Sequence, residues 1–230
     1  MTRILYGVPD LTNGSTLTRT QIKSITPAGY VAAAYSVAGT GTADNTHAHD
    51  TDLALKIAAT GFAVIRVPFA TSTARKVAAS FYLWQASASD VVVAQFLGSD
   101  GSTRCGSISI NSTARVGLVA TNPGGAEATS PVGQVVTMSQ LNRWEILIDR
   151  DADSASVNVY NADATTPYAS VSLASAGFTT DPAFLQIGSA NGAAFTGWFS
   201  RLRVEDGATV EIGPYVPPLI ASVSDTASLT

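Results

Sequence analysis

Two-residue alternation of apolar and polar side chains, in short runs separated by turn residues, limits this chain more than any other feature. In the window from Leu141 to Asp149, Trp144, Ile146 and Ile148 fall on one side of an extended segment, and Arg143, Glu145 and Asp149 on the other. A helix would scatter both sets around its circumference. The window therefore predicts a strand with one face in a core and its charged face, Arg143 and Glu145 included, in solvent. Ala79 to Leu83 alternates likewise, with Phe81 and Leu83 against Ser80, Tyr82 and Trp84. The Trp144 face is expected to point into the gap between two stacked sheets, opposite the Phe81 and Leu83 face or its neighbours.

Val91 to Leu97 is apolar on both faces, as suits a central strand. Gly98-Ser-Asp-Gly101, Asn111-Ser-Thr-Ala114 and Asp151-Ala-Asp-Ser154 read as hairpin turns, because Asp-Gly and Asn-rich tetrads accept positive φ or bond their own backbone. Further β-rich runs lie at Ser156 to Asn161, Phe184 to Gly188 and Gly197 to Val204, where Leu202 and Val204 oppose Arg203. Asn122 to Gly133 is dense in breakers and reads as a loop. No amphipathic helical window competes, so the class is all-β: a two-sheet antiparallel β-sandwich.

At 230 residues, with 46% hydrophobic and 13% charged residues, the chain can build one large sandwich with a proper core. Residues 1–52 are rich in Thr, Ser, Gly and Ala without sustained period and read as an N-terminal arm or outer strands. Residues 53–212 read as the sandwich. Three prolines in Gly213-Pro-Tyr-Val-Pro-Pro218 cannot continue a central strand, which leaves residues 213–230 as a tail.

A net charge of −4 and a pI near 5.0, with scattered arginines, supply no footprint for nucleic acid. No apolar run approaches the roughly eighteen residues of a membrane span, and the opening MTRILYGVPDLTNG lacks a basic end followed by an apolar stretch. Neither membrane insertion nor a secretory signal is expected. Cys105 is the single cysteine, so no intrachain disulfide forms, which fits synthesis in a reducing cytoplasm.

The order of these runs carries a resemblance. Ala79-Ser-Phe-Tyr-Leu-Trp84, Leu141-Asn-Arg-Trp144-Glu-Ile-Leu-Ile148, Val157-Asn-Val-Tyr160-Asn, Leu185-Gln-Ile-Gly188, and Phe195-Thr-Gly197 with Leu202-Arg-Val204 follow one another as in the laminin-G-like, concanavalin A-like family. The match spans about residues 60–210. The resemblance implies a jelly roll of two curved sheets, used to bind sugars or proteins or as a building block of virions; the extended arms at residues 1–52 and 213–230 lie outside it. It also implies that Trp144 is core, and that calcium at a rim loop is a possible cofactor, with Asp90 and Asp100 as candidate ligands.

Catalytic patterns are sparse. The β-glucanase strand Glu-x-Asp-x-x-Glu is missing, since none of Glu127, Glu145, Glu205 and Glu211 has an Asp two residues on. Glu145 and Asp149 share a strand face and form the one weak acid pair, which reads more simply as two solvated charges. Asp149-Arg-Asp151-Ala-Asp153 imitates a calcium loop, but Ser154 stands where Gly is needed and Tyr160 where the bidentate Glu belongs. His47 and His49 lie in Asp44-Asn-Thr-His-Ala-His-Asp50-Thr-Asp52; on an extended segment they would face the same way and could clamp a metal with an Asp. For a sugar, whose apolar face stacks on rings while polar groups read its hydroxyls, the candidates are Trp198, Tyr82 and Trp84. Trp198 is the least expected to be buried, and Trp84 is expected to pack inward.

These readings combine into a non-catalytic structural protein of a bacteriophage virion: a minor tail or tail-tip component, or else a head decoration or fibre protein. It would act in assembly and host attachment, with other virion proteins, copies of itself and host-surface glycan as partners. Two alternatives stand beside it, a lectin-like carbohydrate-binding module and a glycoside hydrolase with atypical carboxylates.

Overall fold

In the computed structural model, residues 12–16, 41–49, 53–57, 75–119, 126–207 and 212–214 are described in full, and residues 3–6, 31–32, 36–38 and 64–68 by their backbone. The strands are β1 (Arg3–Tyr6), β2 (Val31–Ala32), β3 (Ser36–Ala38), β4 (Gly41–Asp44), β5 (Ala54–Ile57), β6 (Val64–Pro68), β7 (Lys76–Gln85) and β8 (Val91–Leu97). They continue as β9 (Arg104–Ile110), β10 (Val116–Val119), β11 (Glu127–Thr129), β12 (Leu141–Asp149), β13 (Ser154–Asn161), β14 (Ala169–Ala174), β15 (Phe184–Gly188) and β16 (Gly197–Asp206). No helix occurs among the described residues.

Two sheets form an all-β sandwich. The nine-stranded sheet runs β14-β13-β12-β7-β16-β1-β2, with β5 on the first part of β16 and β4 on β5; the seven-stranded sheet runs β11-β10-β9-β8-β15-β6-β3. Pairing is antiparallel except between β1 and β2. Strands within the first 52 residues thus enter both sheets.

The expected hairpins form where the turn residues allow them. β8 and β9 pair through the turn ending at Gly101 (φ 68°), and β12 and β13 through a turn with Asp153 at φ 51°. Among the elements that escape the sequence reading are β5, β6, β11 and β14. β11 lies inside the breaker-rich loop, and β14 alternates Ala169, Val171 and Leu173 inward, a period-two signal that was there to be read.

The core fills the space between the sheets. Phe81, Leu83, Trp144, Ile146 and Ile148 all enter it, with Phe96, Ile108, Leu118, Leu185 and Ile187 from the seven-stranded sheet. Each such side chain contributes about 1.5–3 kcal/mol when removed from water. The Trp144 face, however, stands beside the Phe81 face and not across from it. β12 and β7 are neighbours, with Trp144 opposite Phe81 in register and their rings stacked at 6.2 Å. Close approach of the sheets is visible at Gly106, where a Cβ would come within 3.2 Å of Ile148 Cδ1. Cys105 is buried in this core, and burial pushes its thiol up to about 12.

One irregularity sets up the outer face. Ser200 pairs with Tyr82 and Arg203 with Ser80, so Arg201 and Leu202 together oppose Phe81 in a β-bulge, with Arg201 at φ 51°. The extra residue shifts the parity of β16. Phe199 and Leu202 both enter the core, and Trp198, Ser200 and Arg203 share the opposite face with Tyr82 and Trp84.

The charged face of β12 is not solvated. Arg143 and Glu145 are 1% and 0% exposed. Arg143 Nε donates to Glu145 Oε1 at 2.9 Å, and its other nitrogens donate to the carbonyls of Ala162 and Ala164. Ser80 Oγ donates to Glu145 Oε1 at 3.0 Å and accepts from Arg203 at 2.8 Å. Residues 212–214 cross this network. The Ile212 N–H donates to Glu145 Oε2, and Arg203 donates to the carbonyls of Gly213 and Pro214. Charges expected in solvent are therefore covered, because a segment distant in sequence supplies polar backbone groups that replace water.

Candidate functional site

The three rings nominated for ligand binding and both histidines meet at one corner of the outer face of the nine-stranded sheet. Tyr82 and Trp84 are two apart on β7 and so point the same way, while Trp198 stands opposite Trp84 on β16 and Lys56 opposite Trp198 on β5. The residues after β4 then fold over the rings. His47 stacks on Trp84 with centroids 3.7 Å apart and planes 1° apart, and meets Trp198 edge-on at 4.7 Å. Trp84 and Trp198 are themselves T-shaped at 4.9 Å, and Lys56 Nζ lies 5.0 Å over the Trp198 ring.

Exposure at the two tryptophans is the reverse of expectation. Trp198 is 7% exposed, because Trp84, His47 and Lys56 close around it. Trp84 faces outward and is half-buried, since on β7 the inward positions belong to Phe81 and Leu83. His47 is half-buried too, and Asn45 and Thr46 beside it are exposed.

Two carboxylates fix this corner: Asp44, which opens the segment read as a metal clamp, and Asp163, which carries no signal in the sequence. Burial alone would raise the Asp44 carboxyl, but hydrogen bonds from the Thr46 side chain and N–H, with Trp198 and Lys56 nearby, hold it below the usual range. Lys56 Nζ lies 3.5 Å from Asp44, and the buried Trp198 indole N–H makes no hydrogen bond among the described residues. Asp163, in the turn after β13, bonds His49 Nε2 at 3.0 Å and accepts from the Tyr82 hydroxyl. Burial pulls its carboxyl upward, and the Tyr82 and His49 bonds, aided by Arg143, bring the net shift downward. The His49 N–H also reaches Ser200 Oγ at 3.3 Å, which ties the loop to β16.

The two histidines have separate partners: His47 stacks on Trp84, and His49 pairs with Asp163. Among the described residues no group of three or more His, Cys, Asp or Glu could hold a metal ion. Asp50 and Asp52 of the expected clamp lie outside the described residues. The candidate calcium ligands brace turns: Asp100 accepts from Ser102 N, Thr103 N and the Thr103 hydroxyl, and Asp90 from Ser112 N. The Asp149-Arg-Asp151-Ala-Asp153 carboxylates diverge toward Lys76, Arg75 and the Phe178 N–H. The Glu145 and Asp149 pair does not assemble an acid and a base either, because Glu145 lies inside the Arg143–Ser80 network while Asp149 pairs with Lys76.

No protein-family model and no curated protein matches the sequence. Solved structures do match in fold. The cellulose induced protein Cip1 shares 13% identity at a TM-score of 0.57, over 79% of this chain and 94% of that one. Domain 4 of AbnA, a GH43 extracellular arabinanase from Geobacillus stearothermophilus in complex with arabinotriose, shares 14% identity at a TM-score of 0.53, over 76% and 83%. The exoplasmic/lumenal domain of VIP36, in a form bound to Ca2+ and Man, shares 6% identity at a TM-score of 0.51, over 80% and 91%. The chain also aligns with a sialidase, of which it spans 16% of the length. At these identities the likeness is one of fold, a jelly-roll β-sandwich, and none of these proteins is named as a virion component.

Proposed function

We propose that this protein is a carbohydrate-binding β-sandwich module whose ligand seats on the His47–Trp84 pair. The observation that carries the proposal is the face-to-face stack of His47 on Trp84, braced by the Trp198 edge and flanked by exposed Asn45 and Thr46. A sugar needs an aromatic platform for its apolar face and polar groups at the rim for its hydroxyls. The stack supplies the first, and Asn45, Thr46 and Lys56 supply the second. Support also comes from fold relatives described in complex with arabinotriose and with Man.

The hydrolase alternative loses its motive, because the Glu145 carboxylate is 0% exposed and engaged by Arg143, Ser80 and Ile212. The virion role expected from the sequence gains no support from the geometry or from the fold relatives. A glycan array probed with the protein in oligomerised form tests the proposal. It should show a defined set of saccharides retained, with Trp84→Ala and His47→Ala each cutting retention at least about tenfold, roughly 1.4 kcal/mol. A blank array, or retention indifferent to both substitutions, refutes it.

A further inference from the structure

We infer a second ligand site on the same face, at the β14 edge of the nine-stranded sheet, three strands from the β7 that carries Trp84: a groove for a neutral, hydroxyl-rich chain. Its ligand class rests on the carbohydrate reading; its location does not. The groove has a volume of about 470 Å³ and is lined by Ser156 and Asn158 of β13, Ser170 and Ser172 of β14, and Thr129 and Gln134 at the margin of the other sheet. That volume suits a small ligand, for which sites run from about 300 to 1,000 Å³.

Among the described residues no ionisable side chain lines it. Hydroxyls both donate and accept, and carboxamides offer one of each function, so this lining complements a polyol and gives an anion or a cation nothing to pair with. One wall is apolar: Pro131 lines the groove and Val132 follows it. Among the described residues the large apolar side chains left exposed are Val132 at 87% and Val135 at 40%, next in sequence to the lining residues Pro131 and Gln134. Exposure there is not the result of a loosely held loop. Ser130 Oγ donates to the Gln134 carbonyl at 2.9 Å, the Val136 N–H to Ala114 at 2.7 Å, and the Ser170 N–H to Gln134 Oε1 at 3.1 Å. That last bond occupies the oxygen of Gln134 and leaves its NH2 as a donor at the groove. A fixed apolar lip above a floor of hydroxyls is the same division of labour that a sugar ring demands.

The test is a titration of the isotope-labelled protein with arabinotriose, cellotriose and mannotriose, following backbone amides by NMR in wild type, Trp84→Ala and Ser172→Arg. Ser172 is exposed, so the arginine fills the groove without entering the core. The inference predicts saturable shifts at Ser156, Ser170, Ser172 and the Gln134 side chain with at least one trisaccharide. These should persist in Trp84→Ala and weaken at least about tenfold in Ser172→Arg. Shifts confined to the Trp84 corner overturn the groove and leave the proposed function standing. Groove shifts without corner shifts support the groove while removing the Trp84 platform. Shifts that follow protein concentration and not sugar mark contact between copies, and overturn the inference.

Discussion

Arg143 donates its Nε to Glu145 Oε1 at 2.9 Å although neither residue is more than 1% exposed. Two charges so far from water are tolerated because each also meets polar groups: two carbonyls for Arg143, and Ser80 Oγ with the Ile212 N–H for Glu145. Removing one member strands the other. Glu145→Ala should lower stability by about 3–5 kcal/mol in urea unfolding, whereas Arg143→Met combined with Glu145→Leu should lower it by less. A single substitution within about 1 kcal/mol of wild type would contradict the burial of this pair.

The bulge at Arg201 makes a sharper prediction. Deleting Arg201 removes the extra residue and restores strict alternation in β16, with Phe199, Leu202 and Val204 still inward and Trp198, Ser200 and Arg203 still outward. The deletion should therefore still give a cooperatively folding protein; loss of a cooperative transition would contradict this register. Arg201→Gly, which accepts φ 51° without strain, should keep a cooperative transition. Circular dichroism melts of the two variants make the comparison.

Gly197 supports the aromatic corner from below. A Cβ there would stand 2.3 Å from Phe195 Cζ and 3.0 Å from Leu83 Cδ1, and the Phe195 ring is buried. Gly197→Ala should therefore destabilise by about 1–3 kcal/mol through overpacking. Adding Phe195→Leu should recover part of that loss; no recovery would place the fault in the backbone.

Acid should reveal Asp163. Its carboxyl titrates below its ordinary value of 3.8 in the folded protein, so the stability it contributes is fully present above that value and is lost as pH falls through the lowered one. The stability that the Asp163 carboxylate gives wild type over Asp163→Asn should shrink as pH falls below about 4. A difference that grows as pH falls below about 4 would reverse the sign of the shift.

Much of this architecture was legible because period two is a local signal. Trp144, Ile146 and Ile148 announce an inward face, and Phe81 and Leu83 another. What alternation cannot say is which strands are neighbours, so Trp144 was set across the gap from Phe81 and not beside it. Nor can it announce a bulge: carried backward from Leu202 and Val204, the period turns Trp198 inward, and the extra residue reverses that. The solvated reading of Arg143 and Glu145 failed because their cover arrives from Ile212, 67 residues after Glu145. The ligand candidates were found by residue type alone. Their convergence, and the bonds of Asp163 to His49 and Tyr82, depend on contacts that no short window contains.

The stacking platform is open to direct observation through the indole N–H signals of the three tryptophans. During titration with a saccharide retained on the array, the Trp84 and Trp198 signals should shift and saturate together, while that of Trp144, 0% exposed between the sheets, stays in place. A saccharide that binds without moving the Trp84 signal, or that moves Trp144 equally, would contradict a sugar site at this corner.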